Sequence, residues 1–392
     1  PVAGGMKSYM TRLRLRHLYR GAVAALAGLM LSYASCSKRE PFVPPDPFYL
    51  FATYTVGKNP TSVTAADFNQ DGLTDLVTTN IGSNSLSILF GNGDGSFNEA
   101  IQIEAHREPR AVVVEDFNRD GYLDMAVACS GSDQIVLFFG SAKGRFRIGQ
   151  RYSVMRTPVS LASADFNGDR NPDLVVALRN DKIKVFLGRG DGSFAEGVQY
   201  EYGDTPTSLA QADFNGDGNP DLAVTNGGPM SSAVSIWIGN GDGTFRAPTD
   251  YRTGKRPLAV TFGDFNVDGN VDLFVINGEM DTVTTFLGNG KGAFDRMKES
   301  GADQGPTNGL VHDFNEDRLP DVAIVNIQSS NLSILYGQGD GSFRYPPRNY
   351  RTKGGPFALT MVTLTNNSSD AQALVIANNG ASSISIFLPQ AI

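Results

Sequence analysis

Six nine-residue stretches of this chain carry oxygen-bearing side chains at one fixed spacing. The first reads Asp67-Phe68-Asn69-Gln70-Asp71-Gly72-Leu73-Thr74-Asp75, and it returns from Asp116, Asp165, Asp213, Asp264 and Asp313 at intervals of 48 to 51 residues. Positions 1, 3 and 5 put donors on alternate residues of a tight turn, position 7 can turn in its carbonyl, and position 9 adds a carboxylate. The sets are Asp67, Asn69, Asp71, Leu73 and Asp75; Asp116, Asn118, Asp120, Tyr122 and Asp124; Asp165, Asn167, Asp169, Asn171 and Asp173. They continue with Asp213, Asn215, Asp217, Asn219 and Asp221; Asp264, Asn266, Asp268, Asn270 and Asp272; and Asp313, Asn315, Asp317, Leu319 and Asp321. Hard oxygen donors in that number suit calcium, up to six ions in all, with the ninth-position aspartate standing where an EF-hand has its glutamate. Aspartate and asparagine also build turns without metal. That accounts for one or two residues per loop, whereas three carboxylates in nine residues repel one another unless a cation neutralises them. Position 6 is glycine in four loops (Gly72, Gly121, Gly218, Gly269) but arginine in two, Arg170 and Arg318, where weaker occupancy is expected.

The elements that must hold these loops are short strands. Alternating or apolar runs such as Leu86-Ser87-Ile88-Leu89-Phe90 are broken by Asn-Gly and Asp-Gly pairs, as in Gly91-Asn92-Gly93-Asp94-Gly95-Ser96-Phe97, which are hairpin turns. Four strands fit each period, and a period near 50 with four strands is a propeller blade. On these motifs the chain resembles the FG-GAP (VCBS) repeats of integrin α-subunit propellers and of many bacterial secreted proteins, from about residue 48 onward. A proline lies seven residues before each first loop aspartate (Pro60, Pro109, Pro158, Pro206, Pro257, Pro306), and Pro356 marks a seventh unit. The expected fold is all-β: a seven-bladed β-propeller of four-stranded blades. The last blade ends at Phe387 without its fourth strand, and Phe48–Val56, at the right distance before Pro60, is expected to supply it and so close the ring. That seventh blade has Thr363 or Thr365, Asn367 and Ala373 where the loops have ligands, so no metal is expected there.

Residues 1–35 read as a secretory signal, because Lys7, Arg12, Arg14, Arg16 and Arg20 precede an apolar run from Gly21 to Leu31. Tyr33-Ala34-Ser35-Cys36 resembles a lipobox with Cys36 lipidated, while Ser32-Tyr33-Ala34 also fits ordinary cleavage; residues 36–47 would be a tether before the propeller at 48–392. The expected location is the cell envelope, with the membrane reached only through that lipid, or alternatively free secretion. Removing the signal takes five positive charges away, shifting the formal net charge from −8 to −13. Six calcium ions would nearly neutralise this, and nucleic acid is a poor partner for such a surface.

In the related propellers the aspartate loops lie opposite the partner face, which implies structural metals. The opposite loops are short and polar, with Asn80, Asn226, Asn277, Asn326 and Asn378 at one recurring place, either ringing a ligand or merely ending a strand. Tyr54, Tyr152, Tyr200, Tyr251 and Tyr350 recur on the outer strand, where packing is expected. His106 and His312 lack a visible catalytic partner, Cys129 is expected to be unreactive, and no hydrolase or nucleotide fingerprint occurs. The reading is a monomeric, calcium-stabilised binding or adhesion module for a protein or glycan, not an enzyme. The alternative is a polysaccharide lyase on a calcium-bearing propeller.

Overall fold

The computed structural model describes residues 48–201, 203–228, 232–365 and 371–390. The segments expected to be a signal and a tether, with Cys36, and Asn367 lie outside the described residues. Among the described residues twenty-eight strands, β1 to β28 in chain order, form seven four-stranded antiparallel sheets. The first blade is typical: β2 (Pro60–Ala66), β3 (Asp75–Asn80), β4 (Ser85–Leu89) and β5 (Ile101–Glu104), paired in that order. First strands of successive blades lie side by side around the ring, and the aspartate loop joins the first strand to the second at one end.

Burial explains the pattern of each strand. The second strand is covered on both faces by neighbouring blades, so all six residues from Asp75 to Asn80 are buried, whereas β5 is largely exposed. Apolar side chains gather in seven clusters, each shared by two adjacent blades. At every junction that has an aspartate loop, its position-2 phenylalanine meets edge-on the phenylalanine that opens the next blade's outer strand. Phe68–Phe146, Phe117–Phe194, Phe166–Phe245 and Phe265–Phe343 have centroids 5.6 Å apart, Phe214–Phe294 5.7 Å. The sixth such pair is Phe314–Phe48 at 5.7 Å. Edge-to-face rings of this kind contribute about 0.5–1.5 kcal/mol beyond their buried area.

Phe48 belongs to β1 (Phe48–Thr55), which pairs antiparallel with β28 (Ser383–Pro389) from Phe48 opposite Pro389 to Thr55 opposite Ser383. The N-terminal strand therefore completes the last blade, and the ring has no open seam. The recurring tyrosines belong to the same junctions. Tyr54, Tyr152, Tyr200 and Tyr251 each accept, at the phenol oxygen, the main-chain N–H of the next blade's phenylalanine, at 2.9, 2.8, 2.7 and 3.2 Å. They pack rather than form a stacking surface.

The seven prolines have a mechanical reason. In every blade the residue after the proline is a β-bulge, with the register slipping between Pro60 and Ser62 and at the six equivalent places. Proline lacks the N–H that the ladder would use, so it starts the strand where pairing is irregular anyway. No helix among the described residues is long and apolar enough to cross a membrane.

Replacing the 5%-exposed Phe48 with alanine should cost about 3–5 kcal/mol, read as a lower urea midpoint. Removing residues 48–56 should bare the edge of β28 and drive self-association in light scattering. A monomer with an unchanged midpoint would show that the seam does not depend on this strand.

Candidate metal loops

Within each loop the aspartates first organise main chain. Asp67 accepts the N–H of Asp71 (3.2 Å) and of Gly72 (2.8 Å) on its two oxygens, and Asn69 Oδ1 accepts the Asp71 N–H (2.9 Å). The Asn69 amide donates to Asp71 Oδ2 (2.9 Å), and Asp71 Oδ1 accepts the Leu73 N–H (2.8 Å). Five other loops repeat this scheme, for example Asp213 with Gly218 (2.8 Å) and Asp264 with Gly269 (2.9 Å). Positions 4 and 6 both take the left-handed conformation that such a wrap requires. At position 6, Arg170 and Arg318 adopt it at φ of 67° and 68°, beside 81° for Gly72, and their N–H groups reach Asp165 and Asp313 at 2.7 and 2.6 Å. Arginine there preserves the loop's shape at a backbone cost that glycine avoids.

The ninth-position aspartate does something its spacing does not announce. Asp75 is fully buried, with Oδ2 accepting the Phe68 N–H and Oδ1 the Gly91 N–H, both at 2.9 Å. The same fork joins Asp124 to Phe117 and Gly140, Asp173 to Phe166 and Gly188, Asp221 to Phe214 and Gly239, Asp272 to Phe265 and Gly288, and Asp321 to Phe314 and Gly337. It fastens the loop to the hairpin after the third strand. That contact also explains the hairpin glycine, since a Cβ on Gly91 would sit 2.2 Å from the Thr74 carbonyl oxygen. The hairpin in turn docks on the preceding blade's loop: Gly192, Gly243, Gly292 and Gly341 donate to the carbonyls of Phe117, Phe166, Phe214 and Phe265 at 2.8–3.0 Å. Side chains at position 4 bridge loops as well, with Arg119 donating to the Arg170 carbonyl (2.6 Å) and Gln70 to that of Gly121 (2.5 Å).

Charge is distributed unevenly over this belt. Burial, more than the neighbouring carboxylates, pushes Asp75, Asp124, Asp173, Asp221 and Asp272 up to about 6 and Asp321 to about 7. Main-chain and amide N–H groups hold the exposed Asp217 and Asp268 below the usual carboxylate range. Position 5 is therefore ionised at neutral pH in those loops. Among the described residues no three carboxylate, imidazole or thiol groups converge to hold a metal on their own, so a cation would depend on the mixed set, with the asparagine oxygen and position-7 carbonyl included. The chemistry of that set fits calcium: in four loops each carboxylate oxygen accepts one N–H and keeps a second lone pair, whereas Asp213 Oδ1 accepts three N–H groups and Asp268 Oδ1 two. None of the ion pairs Lys182–Glu201, Lys184–Glu196, Lys255–Glu279 and Arg296–Glu299 involves a loop carboxylate.

Other residues singled out by the sequence are structural. Asn80, Asn277 and Asn378 end the second strand buried, donating to hydroxyls of the third at 2.8–2.9 Å (Ser87, Thr284, Ser385). Asn226 and Asn326 do the same to Ser235 and Ser333. Cys129 is buried, with its thiol pushed up to about 12 by desolvation. Burial lowers the pKa of His312, whose ring lies edge-on to Phe314 at 5.4 Å. Blade seven has Ala373 in register with the ninth position, so its fork is missing.

These features define a β-propeller whose blades are joined by an aspartate-loop belt on one face. The chain belongs to the FG-GAP-like repeat family, matched over residues 67–127, 116–176, 165–224, 213–275 and 264–324. No curated protein matches it. Among solved structures it is similar in fold to BBS1N in complex with ARL6DN, from a crystal soaked with lead, at 11% identity and TM-score 0.64, covering 89% of this chain and 99% of that one. Streptogramin B lyase is similar at 15% identity and TM-score 0.60, covering 88% and 98%. A functionally unknown protein from Desulfotomaculum acetoxidans DSM 771 follows at 11% and 0.56, covering 76% and 91%.

In chelator, Asp221→Ala should cost at least about 2 kcal/mol, because two buried N–H groups lose their acceptor; a smaller loss in urea unfolding would remove the fork from the account. The ninth-position carboxyls titrate at about 6 to 7 when folded against 3.8 as the ordinary value, so the folded state binds more protons in between. Their contribution is full below the ordinary value and is lost as pH rises through 6 to 7. The chelated protein's urea midpoint should therefore fall between pH 5 and 7.

Proposed function

We propose that this propeller is an exported, calcium-stabilised binding module that offers the face opposite its aspartate loops to a protein or glycan. The observation that carries this reading is the separation of tasks between the two ends of each blade. At one end the loops are consumed in holding the fold: their carboxylates organise main chain, and the ninth aspartate is bound to the hairpin. At the other end, short loops run into each proline bulge and carry exposed Lys58, Arg107, Arg156, Lys255, Arg256 and Lys353. Calcium would neutralise the loop carboxylates and, binding only the folded ring, would stabilise it by about 2.7 kcal/mol per site at a hundredfold excess over its Kd.

Calorimetry of the chelated protein should show several calcium sites and a Tm that rises with calcium, with a smaller heat after the loops containing Arg170 and Arg318 are left as the only intact ones. Absence of both signals would overturn the metal assignment. A turnover assay on acidic polysaccharides, run with calcium present, should show no bond cleavage; cleavage would replace the binding reading with a lyase.

A further inference from the structure

The face opposite the aspartate loops carries a guanidinium whose Nε is buried without a hydrogen-bond partner, that of Arg110. Residues at the proline bulges are Thr61, Arg110, Val159, Thr207, Leu258, Thr307 and Phe357. The threonines show where this position points. Thr61 donates to the Arg110 carbonyl (3.0 Å), Thr207 to that of Pro257 (2.9 Å) and Thr307 to that of Phe357 (3.1 Å), each in the next blade. By the same geometry the bulge in blade two carries the long side chain of Arg110 on the side of blade three.

Besides its buried Nε, Arg110 takes part in none of the ion pairs among the described residues. Burial, then the charge of Arg179, holds its guanidinium below the usual range, against the opposing pull of Glu108. Exposed Arg179 directly follows the second strand of blade three and donates its N–H to Thr157 O (3.0 Å), beside the bulge of that blade. Among the acids of these loops, Glu108 offsets Arg110 only in part and takes the Ser130 hydroxyl (3.4 Å), Asp133 accepts the Thr157 N–H (2.6 Å), and Asp181 the Thr205 N–H (2.7 Å). A partly buried arginine at one bulge and an exposed arginine held beside the next bulge form an arrangement that an incoming anion would relieve. On the same approach to blade three, Met155 stands 73% exposed with φ of 66°. An adaptable apolar side chain held outward beside cations favours a protein over a sugar.

We infer that Arg110 and Arg179 receive an aspartate or glutamate carboxylate of a partner protein, with Met155 covering an apolar side chain next to it. The planar fork of arginine suits bidentate capture of a carboxylate. This inference rests on the binding-module reading and specifies the partner's chemistry.

The test is to pan a displayed random-peptide library on the whole calcium-loaded protein and to measure the enriched peptides by calorimetry. Peptides with an acidic residue beside an apolar one should dominate. Changing that residue to its amide should weaken binding at least tenfold, and Arg110→Gln or the exposed Arg179→Gln should abolish the difference while Lys353→Gln leaves it. Enriched peptides without an acid, or an acid effect that persists in both arginine variants, would overturn the inference yet leave a binding face. Arg110-dependent capture of polygalacturonate instead of peptides would assign the pair to a glycan and overturn the protein partner. If nothing binds this face, the binding-module reading fails together with the inference.

Discussion

The buried carboxylate of the ninth loop position is the constraint on which the other features rest. By accepting one N–H from its own loop and one from the hairpin beyond the third strand, each of these aspartates fixes two turns that are far apart along the blade. The hairpin so positioned places a phenylalanine against the preceding blade, where the tyrosine of that blade and the position-2 phenylalanine meet it. Loop geometry, hairpin geometry and the packing between blades thus share one hydrogen-bonded fork. An ionised group held in such surroundings is costly without further compensation, a cost that a cation, were one bound in the loop, would offset.

Much of this is legible in the amino-acid sequence itself. The repeat of Asp-x-Asn-x-Asp, the proline seven residues ahead and the Gly-x-Phe behind gave strand number and blade number, and the spacing from Phe48 to Pro60 identified the strand that closes the ring. Periodicity reports which residues recur, however, and not which partners they choose. Asp75 and Asp71 look alike in sequence, yet one is buried on two N–H groups and the other faces solvent. The bulge after each proline was invisible for a related reason, since a one-residue slip alters pairing without altering composition. Arg110 was hidden among threonines and apolar residues at that position, and only the direction of their hydroxyl groups shows where its side chain goes. The recurring asparagines illustrate the converse: their regularity comes from finishing a strand, with the third strand's hydroxyls as partners.

The likeness to solved propellers at 11–15% identity shows how little of the sequence the architecture needs. What it needs is placed at the junctions, in the paired rings and in glycines that let main chains approach. The loops at the opposite end keep one recurring contact, an Asn84, Asp133, Asp181 or Asp281 oxygen on the next loop's main chain, and otherwise their residues differ from blade to blade. Irregularity within a regular ring is where recognition can be specific.

The pairing of Phe48 with Pro389 joins the two ends of the described chain, and this has a consequence for the order of assembly. Each of the first six blades uses only local segments and can collapse as soon as its own strands exist. The seam has the longest sequence separation of the strand pairings among the described residues, so its loop-closure entropy falls due last and its stabilisation comes only once β28 exists. A chain cut short before β28 retains six good blades and leaves β1 unpaired. Such a product exposes strand edges to proteases and to other chains, so the ring carries within its topology a check on its own completeness.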